Sequence, residues 1–134
     1  MGVPKETAAS IELPVTPDLA WQGLMEVAGA AAAQENVVWH FGHADVSLDS
    51  VVAGEGAAGT GRWVGIDYQV SAHLVPRGRS DTLLMLAADA NTAFGSYGGG
   101  VRDFRSRRRA RADLEAMAQA VGAWVIARTT DPPR

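Results

Sequence analysis

From Val64 to Leu74 the chain alternates. Val64, Ile66, Tyr68, Val70, Ala72 and Leu74 fall on one parity, and Gly65, Asp67, Gln69, Ser71 and His73 on the other. Side chains of a strand point to opposite faces in turn, so this period of two describes a strand with one buried and one wetted face. Further along, the period changes. Leu114, Met117, Ala118, Val121, Trp124 and Val125 recur at steps of three and four, the stripe of a long amphipathic helix over 103–127. A chain holding a half-buried strand set and one long helical stripe satisfies both by burying them against each other. That is a two-layer α+β design.

Just before the alternating run, Gly54, Gly56 and Gly59 spell G-x-G-x-x-G. A dinucleotide site needs a strand leading into those glycines and a helix leaving them, so that the helix N-terminus faces the pyrophosphate. What leaves them here is a β-branched alternating segment, which argues against the nucleotide reading. The glycines are instead expected to join two antiparallel strands, Ser50–Ala53 and Trp63–Leu74, by supplying turn conformations. No G-K-[ST] follows any glycine run, and Gly95-Ser96-Tyr97-Gly98 lacks the spacing of a nucleophile elbow.

The remaining elements follow from the same signals. Ile11, Leu13 and Val15 share one face of a short strand from Ser10. Thr16 is placed to cap a helix with Pro17 in its first turn and Asp18 near its positive end. Leu19, Ala20, Gly23, Leu24 and Val27 fall on one side of that helix, flanked by Trp21, and it is expected to stop near Asn36. A strand over 36–45 carries Trp39, Phe41 and His43 on one face and Val38 and His40 on the other, running on towards Leu48. Pro76-Arg77-Gly78-Arg79 makes a turn. Asp81–Asp89 is an apolar strand, and Ala93–Tyr97 a further short one. The pattern shows no repeat or linker, so one domain is expected over residues 1–134, with an ordered core about 9–128.

The chain has 134 residues, 47% of them hydrophobic and 20% charged, the balance of an ordinary globular domain. It has no cysteine, which excludes disulfides, thiolate metal sites and cysteine nucleophiles. There is no apolar run long enough to span a membrane. The opening residues lack an apolar signal core and carry Glu6 where a myristoylation motif has Ser or Thr, so a cytoplasmic location is expected. A net charge of −3 argues against a general nucleic-acid binder. That charge is unevenly spread, because Arg102, Arg105, Arg107, Arg108, Arg109 and Arg111 gather half of the chain's twelve basic residues in ten positions.

Three stretches resemble the START-like or helix-grip superfamily (SRPBCC), which includes polyketide cyclase/dehydrase-type and lipid-transfer domains. They are the strand, cap and Trp-bearing helix of Leu13–Leu24, the "GAAGTGRW" segment Gly56–Trp63, and "RRRARADLEAMAQAV", Arg107–Val121. The resemblance implies a curved antiparallel sheet wrapped around a long C-terminal helix, with a short N-terminal strand and helix. It implies six strands, where the periodicity shows four or five. It also implies a largely apolar cavity between sheet and helix that holds a lipid, polyketide or other hydrophobic molecule. No cofactor and no metal are expected from the residues themselves.

On that architecture Trp39, Phe41, Val64, Ile66, Tyr68, Leu84, Leu86, Met117, Val121 and Trp124 are the residues expected to line the ligand site. The same residues could equally fill an ordinary core. For proton transfer His43 and Tyr68 are the candidates, since imidazole titrates near neutrality. Asp67 and His73 are also titratable but sit on the face opposite the apolar one. His40 and His43, three apart on a strand, point to opposite faces and cannot share a metal without a bulge. Arg111, Asp113 and Glu115 are expected on the outer face of the long helix. Three functions stay open: binding of a hydrophobic or aromatic small molecule, a cofactor-independent cyclase or dehydratase, and an interaction module using the Arg102–Arg111 face. Pairing of an exposed strand edge into a homodimer is also open.

Overall fold

The computed structural model describes residues 6–29, 38–90 and 100–129. In chain order they form β1 (Glu6–Leu13), α1 (Pro17–Val27), β2 (Val38–Phe41), β3 (Ala44–Val52), β4 (Gly56–Trp63), β5 (Ile66–Pro76), β6 (Thr82–Ala90) and α2 (Gly100–Thr129). All strand pairs are antiparallel, in one sheet of order β1-β6-β5-β4-β3-β2. The strands from β2 to β6 therefore meander, and β1 closes the far side against β6. The sheet is curved, and α2 covers its inner face in an α+β helix-grip arrangement.

Alternation sets that inner face. Trp39 and Phe41 of β2, Val46 of β3, Tyr68, Val70 and Ala72 of β5, and Leu84, Leu86 and Ala88 of β6 are all buried. Ala110, Leu114, Met117, Ala118, Val121 and Val125 of α2 meet them. Two close approaches fix the helix. Gly122 packs against Ile11 of β1, and Gly23 of α1 leaves room only for the Trp124 ring and Val125. Larger residues at either glycine would force the layers apart.

Among the described residues there are six strands where the periodicity showed four or five, and three sequence expectations change accordingly. The glycine segment is not a joint: Gly56–Trp63 is itself β4, in the middle of the sheet, paired on both sides. Its glycines serve close packing, and a Cβ at Gly59 would collide with the Ser47 carbonyl oxygen of β3. The register of β3 against β4 shifts between Leu48 and Ser50, a local irregularity of the kind that bends a strand. The expected strand Trp63–Leu74 is broken by a two-residue turn at Val64-Gly65, and the strand over 36–45 by a turn at Gly42-His43.

Thr16 stands at the N-cap of α1 in extended conformation, but its side chain makes no capping hydrogen bond; its carbonyl accepts the Ala20 N–H at 3.0 Å. The helix ends at Val27, earlier than expected, where Gly29 turns at φ +74. The Ala28 carbonyl then accepts the His40 N–H at 2.8 Å, tying the helix end to β2. The short strand expected at Ala93–Tyr97 lies outside the described residues.

Candidate functional site

Three groups of side chains bring chemistry into the otherwise apolar layer. The first centres on Asp113. The sequence places it on the outer face of α2, yet it is only 7% exposed and falls in the buried phase, between Ala110 and Met117. It is tolerated there because it is hydrogen-bonded. Trp63 Nε1 donates to Asp113 Oδ2 at 2.8 Å, and His43 Nδ1 lies 3.2 Å from Asp113 Oδ1. Gly42 makes that approach work. It turns at φ +66, and a Cβ there would lie 2.6 Å from the Asp113 side chain.

His43 itself is 94% exposed at the β2–β3 turn. In the neutral tautomer that carries its proton on Nδ1, that nitrogen donates to the carboxylate and Nε2 keeps its lone pair on the exposed side of the ring. Carboxylate-oriented imidazole in this tautomer is an arrangement suited to accepting a proton.

The second group is a pair of hydroxyls. Tyr68 Oη and Ser106 Oγ share a 2.6 Å hydrogen bond with both residues fully buried. The Tyr68 ring meets Trp63 edge-on at 5.3 Å between centroids, so the two groups form one continuous wall. Ser106 carried no signal in the sequence, where it reads as one polar residue within an arginine run. Trp63 was legible only as the start of a strand.

The third group is aromatic. Trp39 packs on Trp21 at 5.6 Å and stacks near Phe41 at 6.4 Å. Trp39 is 1% exposed, and its indole Nε1–H has no hydrogen-bond partner among the described residues. Buried N–H groups are nearly always paired, so this donor stands out among the described residues.

The other sequence candidates divide by position. Leu84, Leu86, Met117 and Val121 are fully buried between sheet and helix, with Ile66 half-buried at the rim. Val64 is not on the inner face: it stands in the β4–β5 turn, 40% exposed. Trp124 faces α1 rather than the sheet, packed at Gly23 with the Arg128 guanidinium 4.1 Å above its ring. Asp67 pairs with Arg62 at 2.8 Å on the outer face and holds that guanidinium's pKa up, chiefly by the hydrogen bond. His73 is exposed on the same side. Among the described residues, no three His, Asp or Glu side chains gather as metal ligands.

Comparison with solved structures supplies the fold class. The chain is similar to the Zhui aromatase/cyclase from Streptomyces sp. R1128, with a TM-score of 0.56 and 15% identity over 96% of this chain and 98% of that one. It is similar to a START superfamily protein from Mycobacterium smegmatis, with a TM-score of 0.57 and 12% identity over 92% and 99%. It also matches DynU16, a putative protein in the dynemicin biosynthetic locus, with a TM-score of 0.57 and 14% identity over 97% of this chain. The chain spans 49% of DynU16, about half its length. No protein-family model and no curated protein sequence matches. The fold is START-like, a helix grip. No helix among the described residues is long and apolar enough to cross a membrane.

Proposed function

We propose that this chain binds a hydrophobic or aromatic small molecule, lipid-like or polyketide-like, between its sheet and α2. The observation that carries the reading is the indole N–H of Trp39, buried against Trp21 and Phe41 and without a hydrogen-bond partner among the described residues. Small-molecule sites are mostly apolar with a few placed polar groups, and aromatic walls with one free donor fit a planar ligand bearing a carbonyl or hydroxyl. The solved START-like and aromatase/cyclase structures of the same fold support that ligand class.

Native mass spectrometry with a hydroxyanthraquinone and with palmitate tests it. A one-to-one adduct with either, weakened in Trp39→Phe, supports the reading. A clean apo mass in both cases from folded protein contradicts it.

A second reading, a cofactor-independent cyclase or dehydratase acting on a polyketide-like substrate, is favoured by His43 on Asp113. His43 Nε2 would take a proton from a carbon next to a carbonyl, and Asp113 would stabilise the imidazolium formed. His43→Ala separates the two: a binder keeps its ligand, whereas an enzyme keeps binding and loses turnover.

A further inference from the structure

On the outward side of α2, Arg105, Arg108 and Arg109 converge with Ala112 and with Val64 of the β4–β5 turn around an open groove of about 620 Å³. Steps of three and four put these helix residues on one face. Gathering three guanidinium groups is unfavourable unless something anionic meets them. Among the described residues no carboxylate forms an ion pair with any of the three. The chain as a whole is acidic, at −3, so this groove runs against the overall sign.

An independent feature points to the same place. Val64 has φ 51 and its neighbour Gly65 φ 78, a two-residue hairpin turn with both residues in the left-handed region. Asn-Gly or Gly-Gly adopts such a turn without strain, whereas a β-branched residue is strained there. Strain of this kind gathers at positions whose side chain is used. Here it presents an isopropyl group, 40% exposed, to the arginine groove.

We propose that this groove is a second binding site, taking the phosphate or carboxylate end of an amphipathic small molecule. The arginines grip the anion through their paired N–H groups, and Val64 and Ala112 contact the apolar part. The groove's 620 Å³ is large enough for the head of such a ligand, being within the roughly 300–1,000 Å³ of small-molecule sites. The site is separate from the buried aromatic group, so it stands whether or not an interior ligand binds.

The test is a titration of labelled protein with octyl phosphate, octanoate, octyl glucoside and inorganic phosphate, read at the arginine Nε–H and valine methyl resonances. Saturable shifts at Arg105, Arg108, Arg109 and Val64 with both octyl anions, and none with the neutral glucoside, are expected. Inorganic phosphate should shift the arginines but not the Val64 methyls. Affinity for octyl phosphate should fall at least about tenfold in the Arg105→Gln, Arg108→Gln, Arg109→Gln variant and drop with added salt. These side chains are exposed, so the variant should keep its fold, checked by the unchanged shifts of Tyr68 and Leu84. Equal binding to that variant overturns the proposal. So does binding to polyglutamate or to phosphatidic acid vesicles without binding to soluble octyl phosphate, which would assign the groove to a protein or to a lipid surface.

Discussion

The Trp63 indole N–H at the end of β4 donates to the Asp113 carboxylate of α2 across 2.8 Å, joining residues fifty positions apart. The bond pins the helix to the middle of the sheet. Removing the carboxylate leaves a buried N–H without an acceptor. Asp113→Ala should therefore lose about 2–3 kcal/mol, a fall in Tm of roughly 8–12 °C. Asp113→Asn, which keeps an acceptor for Trp63, should lose about half as much. Thermal or urea unfolding measures both, and equal losses would mean that the carboxylate oxygen is not what Trp63 needs.

Tyr68 and Ser106 form the other polar tie between sheet and helix, with their hydroxyls 2.6 Å apart. Tyr68→Phe and Ser106→Ala should be coupled. A double-mutant cycle is expected to give an interaction of about 1 kcal/mol, since the two hydroxyls share one buried hydrogen bond that either change removes. Additive losses would show the hydrogen bond to be incidental.

Gly42 turns at φ +66 directly against Asp113. Gly42→Ala faces both a left-handed backbone and a collision, so it should lose about 2 kcal/mol or more. It should also release His43 from the carboxylate, which the His43 ring resonances would report. A stable variant with His43 unmoved would contradict this geometry.

Val64 runs the other way. Because its φ of 51 suits Asn far better than a β-branched residue, Val64→Asn should stabilise the domain by about 1 kcal/mol. The same variant should weaken octyl phosphate in the arginine groove. A fall in Tm would mean the turn is not strained.

The layers of this fold were legible because they rest on periodicity. Tyr68 to Leu74 and Leu114 to Val125 announce a strand and a helix facing each other, and both are buried on the faces that the spacing assigns. Strand number was not legible, because β4 is built largely from Gly and Ala. Its propensity is poor, and its strand form comes from pairing with β3 and β5 on both sides, where the Ser47 carbonyl of β3 leaves no room for a Cβ at Gly59. Trp39, Phe41 and Tyr68 could be picked from alternation. Asp113 could not, since a charged residue beside Arg111 and Glu115 reads as solvated. Only its position three residues after Ala110 and four before Met117 gave a signal, and hydropathy outweighed it. Ser106 and the orphan N–H of Trp39 depend on tertiary neighbours that no local pattern encodes.

The proposed ligand meets the Trp39 indole. The four tryptophans give separate indole Nε1–H resonances, so a titration with a hydroxyanthraquinone followed by ¹H–¹⁵N correlation tests it directly. The Trp39 signal is expected to move downfield as its N–H gains an acceptor, while the Trp63 signal, already bonded to Asp113, stays nearly still. A Trp39 resonance that does not move at saturating ligand would contradict the account and leave this aromatic cluster as solid core.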